Sequence, residues 1–299
     1  MLTNDFNSLV PAQNFSRRGF VGAAVSAGVG VGFAAAVLPV SAQTIKTDSA
    51  GLTAGEVTIM VGDFKMAAYR AAPAGKTNLP VVLVISEIFG VHEHIADVAR
   101  RFAKLGYLAI APEMFLRQGD AQGYAEISKL IAEVISKVPD AQVMGDLDAT
   151  VAWAQANGGD TSKLGITGFC WGGRITWMYA AHNPKVKAGV AWYGRLVGAP
   201  NALSPTNPVD VVGKLNGPVL GLYGGADGGI PQESVDKMKA ALATANLATA
   251  NDAAKRSEFV VYPDTPHAFH ADYRPSYRKE AADDGWKRAT AWFKANGVA

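Results

Sequence analysis

The chain carries a single cysteine, Cys170, in 299 residues. One thiol excludes an internal disulfide and a zinc site of the CxxC kind, and it leaves any sulfur chemistry to one side chain. Net charge is also scarce: 28 Lys and Arg stand against 26 Asp and Glu, and no block of five or six like charges occurs. That argues against a nucleic-acid footprint or a polybasic membrane patch, so a small molecule is the expected partner. No internal repeat is visible. With 49% apolar residues, the chain has enough hydrophobic surface for a full core and is not a disordered or fibrous sequence.

The one long uncharged run is N-terminal. "SRRGFVGAAVSAGVGVGFAAAVLPVSAQ" begins with Arg17 and Arg18, reaches Lys46 without another charge, and ends in the small-residue pattern Val40-Ser41-Ala42. It reads as a twin-arginine export signal over residues 1–42, which would engage the twin-arginine export machinery and deliver residues 43–299 to the periplasm or exterior as one α/β domain. A stable membrane anchor is not expected: Gly and Ala dilute the run, Pro39 stands near its end, and a Leu/Ile-rich centre is missing. In an oxidising compartment cysteines usually come in bridging pairs. A lone one is either inert or reactive.

Beyond the signal, the alternation from Val57 to Tyr69 predicts a hairpin, and "LPVVLVISEIFG" gives an apolar strand of the doubly buried kind at Val81 to Ile85. In "HEHIADVARRFAKLG", Ile95, Val98, Ala99, Phe102 and Leu105 share a helical face, with Asp97, Arg100, Arg101 and Lys104 on the other. Strands then alternate with helices: "YLAIAPEMF", the helix "VMGDLDATVAWAQAN", "KLGITGF", the helix "GGRITWMYAAH", "KAGVAWYG", "GPVLGLYGGAD", the helix "SVDKMKAALATAN", "EFVVY" and the final helix "EAADDGWKRATAWFKA". That order predicts a mostly parallel sheet covered on both faces, with ligands bound beyond the carboxyl ends of its strands. The Pro/Asn/Gly-rich stretch 194–217 reads as a loop bordering the site.

"GFCWGG", residues 168–173, has the spacing of a nucleophile elbow with cysteine at its centre. The flanking glycines permit a sharp strand-to-helix turn, and the helix N-terminus favours a thiolate. A thiol nucleophile needs a base and a group that orients the base. Asp227 in "GGADGG" and His267 in "PDTPHAF" follow later strands in the chain order nucleophile, acid, histidine. The rival readings are a buried inert cysteine, a turn aspartate and a surface histidine; their joint occurrence in this order favours a triad. The amides of Trp171 and Ile88 are the candidate oxyanion hole. His92 and His94, two apart at a helix start, are read as solvated or capping residues rather than metal ligands, His182 as a helix-end residue, and His270 as a neighbour of the catalytic loop.

Together "SEIFGV", "GYLAIAPEMF", "GFCWGG", "WYG", "GGADGGIP" and "HAF" resemble the dienelactone hydrolases, or carboxymethylenebutenolidases. The resemblance spans nearly all of residues 43–299. It implies an α/β-hydrolase fold, a triad of Cys170, Asp227 and His267, no cofactor and no metal. It further implies that Glu87 keeps the resting thiol neutral and helps to deprotonate it when substrate enters, which would protect it from oxidation between turnovers. The family is expected to grip a substrate carboxylate with arginines, one a few residues after the histidine; here Ala271 holds that place, and Arg274 is the nearest arginine. Arg117, Arg274, Tyr193 and Phe269 are the substrate-binding candidates. The expected reaction is hydrolysis of a lactone or activated ester through a thioester. The alternatives are a promiscuous carboxylesterase or thioesterase that needs no substrate carboxylate, and a non-catalytic binding protein on the same fold.

Overall fold

The computed structural model describes residues 44–299, in which eight strands form a single sheet. The export segment read at 1–42 lies outside the described residues. Strands β1 (Leu52–Val61) and β2 (Phe64–Pro73) make the expected hairpin, paired from Leu52↔Pro73 to Val61↔Phe64, so it extends beyond the predicted ends. They are followed by β3 (Leu79–Ile85), β4 (Leu108–Pro112), β5 (Gly159–Phe169), β6 (Val186–Trp192), β7 (Val219–Gly224) and β8 (Glu258–Tyr262). The order is β1-β2-β4-β3-β5-β6-β7-β8, antiparallel from β1 to β4 and parallel from there to β8. This is an α/β-hydrolase fold.

The helices are α1 (Glu93–Lys104), α2 (Ile127–Glu133), α3 (Asp140–Ala156), α4 (Trp171–His182), α5 (Pro208–Val211), α6 (Gln232–Thr249), α7 (Asp252–Arg256) and α8 (Lys279–Ala295). Val81 to Ile85 are consecutive and wholly buried, which requires cover on both faces of β3. Burying each such side chain contributes roughly 1.5–3 kcal/mol before chain entropy is counted. Phe102 of α1 meets Trp286 and Phe293 of α8, at 4.6 and 5.8 Å between ring centroids, tying those two helices together. Tyr179 of α4 and Asn183 at its C-terminal end both bond Asp148 of α3. Among the described residues no helix is long and apolar enough to cross a membrane.

One face of α1 differs from expectation. Asp97 and Arg100, on the side opposite the apolar stripe, are buried rather than solvated. The segment entering β1 covers them: the Thr47 amide donates to Asp97, and Arg100 donates to the Thr47 carbonyl. Arg101 then bridges Asp97, at 2.6 Å, and Asp272, at 3.1 Å. A helical pattern marks which residues share a face, but a distant segment decides whether that face meets water.

Candidate active site

Parallel strands end at one edge of the sheet, and the loops that follow them converge there. Glu87 follows β3, Cys170 follows β5, Tyr193 follows β6, Asp227 follows β7 and His267 follows β8. The sheet thus assembles residues up to 180 positions apart.

Cys170 joins β5 to α4 with φ +54° and ψ −113°, a conformation that costs a non-glycine residue on the order of 1–3 kcal/mol. Local hydrogen bonds hold it: its amide donates to the Trp192 carbonyl at 3.0 Å, and its carbonyl accepts from the Gly173 and Arg174 amides at 2.9 and 3.2 Å. The turn is too tight for flanking side chains. A Cβ at Gly168 would lie 2.1 Å from the Gly172 oxygen, and one at Gly172 would lie 2.4 Å from the Ile85 oxygen. Glycine at both positions is therefore a packing requirement of the elbow.

The imidazole of His267 is as firmly held. His267 Nδ1 lies 2.6 Å from Asp227 Oδ2, and both side chains are almost wholly buried. Asp227 Oδ1 accepts from the Gly229 and Ile230 amides, at 2.9 and 3.2 Å. The carboxylate is thus pinned by backbone on one oxygen and faces the imidazole with the other. Burial pushes the His267 pKa down, but the Cys170 side chain and then Asp227 outweigh it and raise it to about 10. Its Nε2 is buried without a hydrogen-bond partner. With Nδ1–H given to Asp227, Nε2 is the atom left for chemistry.

Trp171 is the first residue of α4, so its N–H is among those with no acceptor inside the helix. Ile88 is buried in the turn that follows β3. Glu113 braces that turn by accepting the Val91 amide at 2.7 Å. Its burial, with Asp120 nearby, raises its pKa to about 7 against the two amides that it accepts.

Glu87 is buried, and its Oε2 lies 3.3 Å from His92 Nε2. Burial would keep this carboxyl neutral, but His92, followed by His94 and Arg274, hold its pKa at about 2. Tyr193, with φ +37°, has a buried hydroxyl without a partner that senses Glu87, Tyr273 and Cys170. A cleft of about 770 Å³, open mouth included, reaches Cys170, Trp171, Tyr193 and His267 at its floor.

The arrangement corrects several sequence expectations. Arg117 does not line the cleft: it makes a two-pronged pair with Asp146, at 2.5 and 2.7 Å, and lies over the Phe64 ring. Phe269 is fully buried against Trp192, Tyr193 and Tyr262, so it supports the site from below instead of lining it. His92 and His94 are not solvated but buried, His94 pairing with Asp272 at 3.0 Å. His92 does hold the N-cap position of α1, in extended backbone, but its side chain makes no capping hydrogen bond. Arg274 does not line the cleft either: it lies over Phe89 and donates to Tyr273, close enough to Glu87 and Cys170 for their charges to act on it. His182 is a helix-end residue, paired with Asp148 at 2.8 Å.

Residues 66–297 match the model of the dienelactone hydrolase family. The chain belongs to that family. A Methylorubrum extorquens protein named "Putative carboxymethylenebutenolidase" is 59% identical over 297 residues, covering 99% of this chain and 98% of its own. An Escherichia coli K12 protein of the same name is 52% identical, covering 89% and 96%. The crystal structure of a Klebsiella pneumoniae protein called a "Putative Dienelactone Hydrolase" superimposes with a TM-score of 0.77 at 56% identity, over 81% of this chain and 98% of that one.

For a dienelactone hydrolase family member, the cleft also contains groups that the sequence did not single out. Arg174, Arg195, Asn201 and Ser204 line it, and no Asp or Glu does. Arg174 is neutralised by a two-pronged pair with Asp140, at 2.7 and 2.8 Å. Arg195, Asn201 and Ser204 come from the 194–217 stretch, whose Pro/Asn/Gly content marked a loop but not which of its side chains turn inward.

Proposed function

We propose that this ester and lactone hydrolase acts through Cys170 as a covalent nucleophile, in a carboxymethylenebutenolidase-like reaction. One observation carries the reading: the lone thiol sits in a strained elbow at the floor of a cleft, beside an imidazole whose other nitrogen is locked to a buried carboxylate. Cys170 Sγ loses its proton, with Glu87 or His267 as acceptor, and forms a C–S bond to the substrate carbonyl. The Ile88 and Trp171 amides face the oxyanion. The ester C–O bond then breaks, and the leaving oxygen takes a proton from His267. Water adds to the thioester, giving a proton to His267; the C–S bond breaks, the acid departs, and sulfur recovers its proton.

Arg195 is our candidate for holding an acidic group on the substrate, since Arg117 is committed to Asp146 and Ala271 is buried. The apolar share of the cleft, including Ile131, Ile135 and Ile230, supports a second reading in which neutral esters are also turned over. We also propose that residues 1–42 direct export, on the strength of the Arg17-Arg18 pattern alone. The test of the catalytic reading is turnover of a carboxylate-bearing dienelactone and of a neutral aryl ester by Cys170→Ala. Loss of both activities in a folded variant supports it, and retained activity overturns it.

A further inference from the structure

Glu113 takes part in no chemical step, yet its side chain is committed to the turn that carries one of the candidate oxyanion amides. It follows β4 directly, and its own amide donates to the Ala67 carbonyl of β2 at 2.9 Å, so its backbone is fixed to the sheet. The side chain is 5% exposed and does not line the cleft. A carboxyl buried at that depth is costly unless donors meet it, and Oε2 accepts the Val91 amide at 2.7 Å. One residue earlier the approach is closer still: a Cβ at Gly90, where φ is +72°, would lie 2.7 and 2.8 Å from the two carboxyl oxygens. Glycine there lets the chain lie directly on the carboxyl. Gln122 Nε2 donates to the Val91 carbonyl at 3.1 Å and completes the hold on that residue. The turn that contains Ile88 is thus fastened at its far end by Glu113, while its near end is continuous with the buried strand β3.

The second candidate amide is linked to the same carboxyl through Phe115. The Phe115 amide acts on Glu113 to lower its pKa against burial, and the wholly buried Phe115 ring meets the Trp171 ring edge-on at 4.8 Å. The two halves of the site also abut. A Cβ at Gly172 would lie 2.4 Å from the Ile85 oxygen and 2.7 Å from the Ser86 oxygen, so the start of α4 packs against the start of the Ile88 turn. A shift of that turn would therefore alter the separation of the Ile88 and Trp171 amides, and oxyanion stabilisation is sensitive to where its donors stand.

We propose that Glu113 is a positioning residue of the oxyanion hole: by accepting the Val91 amide and lying beneath Gly90, it sets the place of the Ile88 amide relative to that of Trp171. The proposal rests on the reading of Cys170 as nucleophile and of those two amides as the oxyanion donors. Glu113 exchanges no proton with the substrate. What the turn needs from it is an acceptor oxygen, which a carboxylate, a neutral acid and a glutamine amide all present. A methionine of similar length presents none.

The test compares Glu113→Met with Glu113→Gln, using an aryl ester and two matched inhibitors, an aryl trifluoromethyl ketone and the corresponding carbinol. On the ketone, Cys170 Sγ forms a C–S bond to the carbonyl carbon, the thiol proton passes to His267, and the carbonyl oxygen becomes an oxyanion. The carbinol fills the same space without bonding. In Glu113→Met, kcat should fall about ten- to hundredfold, a part of what loss of a whole oxyanion donor costs, while KM stays within about twofold. The ketone Ki should rise by about the same factor as kcat falls, and the carbinol Ki should hold. Glu113→Gln should remain within about threefold of wild type by each measure. Gly90→Ala, whose added carbon displaces the same carboxyl, is a second variant and should show the same selective loss of the ketone.

A merely structural role would weaken ketone and carbinol alike in either variant, and that result would overturn the proposal. So would a folded Glu113→Met with kcat within about threefold of wild type, or a glutamine variant as impaired as the methionine one. The wild-type structure with the ketone bound separates the proposal from the readings beneath it. Its oxygen should meet the Ile88 and Trp171 amides; an oxygen turned away from Ile88 removes the oxyanion reading and the proposal with it, whereas an oxygen on Ile88 together with an unaffected Glu113→Met removes the proposal alone. Failure of the nucleophile reading shows itself as ketone inhibition that survives undiminished in Cys170→Ala.

Discussion

Replacing Asp227 by Asn changes one atom, and the structure says which way round the new side chain must sit. Oδ1 already accepts the Gly229 and Ile230 amides, at 2.9 and 3.2 Å, so the Asn oxygen has to occupy that side. Its NH₂ group is then forced against His267 Nδ1, where the native oxygen stands 2.6 Å away. Two donors cannot face each other, so Nδ1 gives up its proton and Nε2 holds it. An imidazole in that tautomer cannot take a proton from water at Nε2. The expected loss in kcat is on the order of a thousandfold to ten-thousandfold, or about 4–5 kcal/mol of barrier. One of the two groups that raise the His267 pKa is lost as well, the other being Cys170. In the wild type the imidazolium is given up only as pH rises through about 10, and in the variant it should be given up at lower pH. The assay is pre-steady-state hydrolysis of an aryl ester across pH, beside a denaturation curve showing that the variant is folded. A folded Asp227→Asn protein within tenfold of wild-type kcat would refute the assignment of Asp227 as the orienting acid.

Gly168→Ala should fail at the level of the fold, because its Cβ would meet the Gly172 carbonyl oxygen at 2.1 Å; chemical denaturation should show a loss of about 3 kcal/mol or more, and an unchanged midpoint would contradict the elbow geometry. Arg195→Ala should raise KM for a carboxylate-bearing ester roughly tenfold while leaving a neutral ester nearly unaffected, as expected for loss of one charge-assisted hydrogen bond; equal effects on both substrates would remove Arg195 from the binding site. Glu113 binds its proton more tightly folded, with a pKa of about 7 against an ordinary 4.5, so its contribution is complete below 4.5 and is lost as pH rises to about 7. That amounts to roughly 3 kcal/mol over the window, and Glu113→Gln should flatten this part of the stability profile.

The parts of the molecule legible in the sequence are those that local rules dictate. The apolar run Val81 to Ile85, the glycines around Cys170 and the strand-then-residue pattern that places Asp227 and His267 each state a backbone requirement within a few positions. The short helices α2, α5 and α7 carry no such signal, being too short to show a period. Arg117 looked available because nothing near it in sequence announces Asp146, 29 residues on. The burial of His92 and His94 depends on Tyr273 and Asp272, some 180 residues away, so no spacing rule could reveal it. That Cys170, Asp227 and His267 come to one edge of the sheet was legible because each follows a strand, whereas the groups that set their charge states arrive from other loops.

The most direct test of the central claim is to identify the covalent intermediate. Purified protein is mixed with an activated aryl ester, quenched in acid during the burst, and its peptides are mapped by mass spectrometry. Our account predicts the acyl group on the peptide containing Cys170, formed as fast as the phenol is released and absent from Cys170→Ala. Turnover with no acyl group on Cys170, or with the label on another residue, would contradict it.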